Sequence, residues 1–356
     1  MPEPTPEPLS IAMLSSWWRD PERGSGTAVG ITGLAGGLSA LGHQVTSLAP
    51  RTASAHLGAR LIYNLEIPGR IARGNFDLVV GIDWDGVFCP AGHPGHVANI
   101  KGVSADECRF ERGLPRLWLW LQSHLERLHA RRAPMVVTSS KYSRDCCIDD
   151  YGVSPERIMR VPEGIDFAHW NTPQFDPGER PPTILSVARQ YPRKNTATLL
   201  FALPRVIEQV PNARLRVVGD GPRLRHLKQL AQRLGVADRV AFLGAVKHHE
   251  DVRREYLNAR VFCLPTRQEG FGIAFLEAMA SGLPVVAADA GAVPEVVPHG
   301  QAGLLVDPDD PEALADALVH LLTNAPLAAR LGTRGRRIAR THDWRNVAAR
   351  FLDVVC

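Results

Sequence analysis

The stretch Glu269-Gly-Phe-Gly-Ile-Ala-Phe-Leu-Glu277-Ala-Met-Ala-Ser-Gly-Leu-Pro-Val-Val286 has two loop glycines, helical periodicity over Phe271–Ser281 and an apolar β-rich run at Pro284–Ala288. Another apolar run, Val261–Pro265, precedes it. The order strand, loop, helix, strand is the repeating unit of a parallel sheet. Gly270 and Gly272 let backbone amides approach a ligand, and the helix behind them presents unpaired N–H groups and its positive dipole end to an anion. Glu269 stands in the loop and Glu277 in the second helical turn, so both reach one cleft while touching different parts of a ligand. The plain alternative, a solvated acid beside an amphipathic core helix, leaves the glycines and both acids unexplained together.

Outward from this stretch the same pattern repeats. Strands are predicted at Thr183–Ala188, Arg214–Val218, Val240–Leu243 and Leu304–Val306, with helices at Thr196–Val210 and Leu224–Leu234. Earlier in the chain, strands are predicted at Leu9–Ser16, Gln44–Ala49, Asp77–Ile82, Val97–Lys101, Met135–Ser139 and Arg157–Val161, with a helix from Gly26 to Leu41. Between the two series, Asn171–Pro182 holds four prolines and reads as a linker. A chain of 356 residues exceeds the roughly 250 at which single cores stop growing. The expectation is an α/β protein of two doubly wound domains, 1–172 and 173–342, with a last helix in 343–356 crossing back to the first.

Composition narrows the function classes. The chain is 45% hydrophobic and 22% charged, with no apolar run near the roughly 20 residues of a membrane span. Its start, with four prolines in Met1–Pro8 and neither a basic nor an apolar signal region, reads as a disordered lead-in and suggests a cytoplasmic location. Six cysteines without Cys-x-x-Cys spacing read as small buried hydrophobes, so no zinc site is expected. A formal charge of +4 is too mild for a nucleic-acid partner and suits anionic small substrates.

Two further segments point to an anion at the same sheet edge. Arg189 follows the strand Thr183–Ala188 and Lys194 precedes the next helix, so both stand where open α/β sheets bind ligands. Two cations there neutralise a departing diphosphate without a metal; either alone reads as a surface charge, as Arg193 does. The turn Val217-Val-Gly-Asp-Gly-Pro222 supplies Gly219 and Gly221, but Leu224 stands where a dinucleotide fingerprint needs a third glycine.

In this order the segments resemble the retaining family 4 of GT-B glycosyltransferases over nearly the whole chain, most specifically in the second half. The resemblance implies two Rossmann-like domains facing each other across a cleft. It implies that Arg189 and Lys194 grip the donor diphosphate and that the Gly219–Pro222 turn lies near the nucleotide. Glu269 then lies by the transferred sugar and Glu277 on the ribose hydroxyls, with Gly270 and the amides of Phe271 and Gly272 at sugar and phosphate. Pro294-Glu295-Val-Val297 and Gly303–Pro308 fit the downstream pattern. In the first half, Arg23-Gly-Ser-Gly26 stands where the family has a glycine pair, Ser25 replacing the first and Gly26 matching the second on the donor side. Leu41–Val45 fits the first helix-to-strand junction. Val161-Pro-Glu-Gly-Ile-Asp166 resembles the boundary motif, with Glu163 where Asn is usual. Lys101 occupies the slot of a reaction-centre His, for which His93 and His96 are the alternatives.

Other signals rank lower. Asp83-Trp-Asp85 has the spacing of a metal-binding acid pair but follows a first-half strand, so acceptor-cleft lining or a plain loop is the reading. His93, His96, His248 and His249 lack a third ligand and read as loop residues. The segment 114–132 places Leu114, Leu117, Trp118, Leu121, Leu125 and Leu128 on one helical face and Arg116, Arg127, Arg131 and Arg132 around it. A core helix covering the first sheet is the favoured reading, and peripheral membrane contact the second.

The expected activity is retaining, metal-independent transfer from a nucleoside diphosphate sugar to a small-molecule, glycan or lipid acceptor, with no cofactor beyond that co-substrate. The rivals are a sugar-nucleotide epimerase or phosphorylase-like enzyme on the same scaffold, and a non-catalytic sugar-nucleotide-binding protein.

Overall fold

The computed structural model describes residues 7–16, 26–50, 57–90, 92–171, 180–246 and 248–356. Residues 1–6 of the lead-in, residues 23–25 of the expected glycine-pair motif and residues 172–179 of the linker lie outside the described residues.

Two six-stranded parallel sheets organise the chain. The first contains β1 (Ser10–Leu14), β2 (Gln44–Leu48), β3 (Leu78–Ile82), β4 (His96–Ile100), β5 (Met135–Thr138) and β6 (Ile158–Arg160), in the order β2-β1-β3-β4-β5-β6. The second contains β7 (Thr183–Val187), β8 (Arg214–Val218), β9 (Val240–Gly244), β10 (Val261–Leu264), β11 (Val285–Ala288) and β12 (Gly303–Val306), in the order β12-β11-β10-β7-β8-β9.

Side chains alternate across each strand, so both sheet faces need cover. In the second sheet Ile184, Val261 and Cys263 point to a core closed by Thr196–Gln209, Leu224–Arg233 and Pro311–Thr323. Their neighbours Leu185, Phe262 and Leu264 point to the opposite core, closed by His249–Asn258 and Ile273–Ala280. Covered on both faces, these strands read in the sequence as short continuous apolar runs.

The chain divides into two compact units, one holding Thr27–Glu163 with Trp344–Cys356 and the other Gly164–Asp343. The change of unit falls before the proline-rich linker, because Ile165 and Trp170 bury in the second unit's core and the Ile165 N–H donates to the His342 carbonyl at 2.9 Å. The helix Trp344–Val355 buries Trp344, Val347, Ala348 and Phe351 beside Ile11, Met13 and Ile31. Helix Gly26–Ala40 accepts it through a glycine face: a Cβ on Gly33 would clash with the Trp344 indole, and one on Gly37 with the Trp344 carbonyl.

Helix Gly113–Arg132 reverses the favoured sequence reading. Its inward face is polar: Ser123, Glu126 and His129 are buried, whereas Leu114, Leu117, Trp118, Trp120, Leu121 and Leu128 are exposed, Leu114 at 72%. Glu126 accepts from the Ser104 N–H at 3.1 Å, the Ser104 hydroxyl at 2.7 Å and the Tyr151 hydroxyl at 2.5 Å, and burial raises its pKa. His129 places Nδ1 2.6 Å from the Asp83 carbonyl and Nε2 3.0 Å from His96 Nε2. Burial lowers both imidazole pKa values, which keeps the rings neutral. A neutral His129 that donates from Nδ1 must accept at Nε2, so His96 is the donor. These partners satisfy a polar seam against the first sheet and leave the apolar face outward.

Candidate active site

β7 and β10 are neighbours, and the helices that follow them leave toward opposite faces of the second sheet. Their carboxyl ends therefore flank a topological switch point, where diverging connections leave a crevice. Residues 188–195 follow β7 and residues 265–272 follow β10. The Arg193 carbonyl accepts from the Arg267 N–H at 2.7 Å and lies 3.0 Å from the Thr266 hydroxyl, tying the two loops together. Asn195, left-handed at φ 56°, donates from Nδ2 to the Pro308 carbonyl at 2.7 Å and holds the start of helix Thr196–Gln209.

Lys194 and Glu269, read separately in the sequence, meet here: Nζ lies 2.5 Å from Oε2. Arg189 is exposed, its guanidinium 5.5 Å from the Tyr191 ring centroid, with no carboxylate partner among the described residues. Glu269 is also held through its main chain: its carbonyl accepts from the Ala292 N–H at 2.9 Å, and a Cβ on Gly291 would lie 2.8 Å from that oxygen.

Glu277 is half-buried and accepts from the Tyr256 hydroxyl at 2.7 Å; burial raises its pKa to about 7. Gly272, at φ 95°, immediately precedes helix Ile273–Ala280 in a conformation that a side chain would strain. Gly270 lies two residues earlier in the same loop. The Phe271 side chain is buried core with its ring centroid 6.0 Å from that of His342, so a ligand role for this residue belongs to its main chain.

Gly219 and Gly221 have a packing reason. A Cβ on Gly219, at φ 116°, would overlap the Ala188 carbonyl, and one on Gly221 would stand 2.7 Å from the Gln190 N. The Gln190 N–H donates to the Asp220 carbonyl and the Arg223 N–H to the Gln190 carbonyl, each at 3.0 Å. The glycines thus admit the neighbouring loop that carries Arg189. The sequence reading missed Tyr256, Gly291 and the Arg193 carbonyl, whose roles come from main-chain or long-range contacts that no short motif encodes.

In the first unit, Lys101 follows β4 at the carboxyl edge and pairs with Glu163, whereas His96 begins β4 at the opposite end and is engaged by His129. Gly26 opens helix Gly26–Ala40, and among the described residues no atom lies within 4 Å of a Cβ placed there. Asp85 is fully enclosed and accepts from Ser16, Arg60 and Asn64; Asp83 accepts from the Lys101 N–H at 3.0 Å. The acid pair is thereby committed to loop structure. Of the cysteines, Cys89, Cys108, Cys147 and Cys263 are buried, Cys146 is half-buried and Cys356 is exposed. No helix among the described residues is long and apolar enough to cross a membrane.

Two cations, a glycine loop and two helix starts share one sheet edge, the donor set suited to a phosphorylated ligand. The fold is that of the GT-B glycosyltransferases. The family of glycosyl transferases group 1 matches residues 171–338, and Glycosyltransferase Family 4 matches residues 24–169. The chain belongs to this family of glycosyltransferases. It is 40% identical over 241 residues to the GDP-mannose-dependent alpha-(1-6)-phosphatidylinositol monomannoside mannosyltransferase of Mycobacterium tuberculosis, covering 62% of this chain and 60% of that protein. It is 34% identical over 294 residues to the MMP alpha-(1->4)-mannosyltransferase of Mycolicibacterium hassiacum, covering 80% of this chain and 66% of that protein. The chain thus spans about 60 to 66% of the length of these curated relatives. Among solved structures, sucrose-phosphate synthase from Thermosynechococcus elongatus is similar at TM-score 0.80 and 22% identity, covering 97% of this chain and 98% of that one, a likeness of fold.

Proposed function

We propose that the chain transfers a hexose, with mannose the first candidate, from a nucleoside diphosphate sugar to a lipid-borne acceptor with retention of configuration. The observation that carries this reading is the Lys194–Glu269 pair beside the exposed Arg189 at the switch point. Arg189 and Lys194 neutralise the diphosphate as it leaves, so neither a metal nor a further cofactor is required. Glu269 lies along the transferred sugar and Glu277 accepts from the ribose hydroxyls. Amides around Gly270, Phe271 and Gly272 meet sugar and phosphate, the turn at Gly219 and Gly221 borders the nucleotide, and Gly26 lies on the donor side. Lys101 donates to a sugar oxygen in the reaction centre. GDP-mannose is the first donor to test, because the M. tuberculosis relative is named as GDP-mannose-dependent. Incubated with GDP-mannose and a mycobacterial lipid extract, the protein is expected to form an α-mannoside, with chelator making little difference. Hydrolysis without transfer, an inverted anomer or metal-reversible loss of activity would count against it.

The acceptor is reached, in this reading, by docking to an anionic bilayer. Helix Gly113–Arg132 exposes Leu117, Trp118, Trp120 and Leu121 beside Arg112, Arg116, Arg127, Arg131 and Arg132, an apolar stripe rimmed by cations. Helix Leu57–Ile71 adds exposed Ile62 and Leu65, and the Arg60 guanidinium bridges the two helices by donating to Gln122 Oε1 at 3.2 Å. Flotation with phosphatidylinositol-containing vesicles should exceed that with phosphatidylcholine alone and be lost in Trp118→Glu/Trp120→Glu. Equal flotation of protein and variant would remove the membrane from the proposal.

A further inference from the structure

Lys101 and Glu163, the two residues at which the first half departs from the family's His and Asn, lie 62 positions apart and are joined by the fold. Lys101 Nζ stands 2.7 Å from Glu163 Oε1, with the side chains 9% and 7% exposed. Both belong to the carboxyl edge of the first sheet: Lys101 directly follows β4, and Glu163 comes three residues after the end of β6. Helix Gly26–Ala40 leaves room for the pair, since a Cβ on Gly30 would lie 2.5 Å from Glu163 Oε2 and 3.6 Å from Nζ. The lysine backbone is pinned as well, its N–H donating to Asp83 Oδ1 at 3.0 Å, with Asp83 held at φ 55°.

Folding alone gives little reason for this arrangement. A buried ion pair is a poor source of net stability, and losing either partner strands a charge. Among the described residues Glu163 Oε2 is buried without a hydrogen-bond donor, a further cost that close packing leaves in place. An ammonium has three N–H donors, and Glu163 uses one. The pair also sits at the strand ends where open α/β sheets take ligands.

We propose that Glu163 is a positioning residue for Lys101, holding the ammonium so that its remaining N–H groups meet a hydroxyl oxygen of the transferred sugar, and that the two positions work as a matched pair. This rests on the place given to Lys101 in the proposed reaction. It accounts for both departures together: a lysine in a nearly buried slot needs a carboxylate to keep its charge and direction, whereas a neutral imidazole beside an amide needs neither.

Turnover, donor KM, GDP affinity and thermal midpoint of purified variants test the pairing. Lys101→Ala and Glu163→Gln should each lower kcat by about 10- to 100-fold, the scale of a misplaced reacting geometry. Combining them should cost little beyond either one, and GDP affinity should stay unchanged. Lys101→His with Glu163→Asn should turn over faster than Lys101→His alone. If Lys101→Ala leaves kcat intact, the role given to Lys101 falls and the pairing with it. If Lys101→Ala lowers kcat while Glu163→Gln lowers only the thermal midpoint, the pairing falls and the proposed reaction stands. Should Glu163→Gln fail to fold, Glu163→Asp keeps the charge and withdraws the carboxylate, and is expected to lower kcat with GDP affinity unchanged; unaltered kcat in that variant overturns the pairing.

Discussion

Among the described residues each unit carries a lysine–glutamate pair at the carboxyl edge of its sheet, and the two pairs differ in what surrounds them. Lys194–Glu269 joins loops that the Arg193 carbonyl already ties together by accepting from the Arg267 N–H and the Thr266 hydroxyl, with the exposed Arg189 in the first of them. Lys101–Glu163 is wedged against Gly30, with one carboxylate oxygen unmet among the described residues. The same two side chains are therefore proposed to do different work. Where other bonds already fix the loops, the proposed reaction has an incoming anion take over the cation and release the glutamate toward a sugar. Where the pair itself fills the slot, the proposed work of the glutamate is to hold the lysine.

The contrast breaks most readily at Lys194. Lys194→Ala is expected to lower turnover by about 10²- to 10³-fold, the usual loss when one preorganised donor to developing charge is removed. Arg189→Ala should act more on binding, weakening GDP by about 1.5–3 kcal/mol while guanosine affinity stays unchanged. Calorimetry with both ligands reads the split; equal weakening of nucleoside and nucleoside diphosphate would merge the two cations into one structural role.

A smaller effect sharpens the picture around Glu277, whose pKa burial raises to about 7. A folded-state value above the unfolded one means that the native chain holds the extra proton. The associated stability is complete below the unfolded carboxyl value and is lost as pH rises through about 7. Thermal midpoints should thus fall more steeply from pH 5 to pH 8 for the native sequence than for Glu277→Gln, which cannot titrate there. Parallel curves would show that the carboxyl does not carry the shift.

Much of the second unit was legible because its signals are local. The strand–loop–helix segment ending at Glu277 and the cations after β7 occur in short spans whose spacing alone brings them to one edge. Helix Gly113–Arg132 misled for the opposite reason: periodicity finds an apolar face but not its direction, and that direction depends on Ser104, Tyr151 and Asp83 satisfying Glu126 and His129 from other elements. Gly219 and Gly221 also have a packing role that spacing does not show, since the volume they leave empty admits residues 188–190.

The sequence by itself determined the two parallel α/β series and the candidate donor residues Arg189, Lys194, Glu269 and Glu277, because period-two and helical patterns, glycines and charges act over a few residues. Tertiary structure alone decided that Lys194 meets Glu269, that Lys101 meets Glu163, that Trp344 fills the slot of Gly33 and Gly37, and that a Leu/Trp stripe faces outward. Each depends on which distant groups share a buried volume and satisfy one another's charges and hydrogen bonds, a condition that spacing along the chain does not specify.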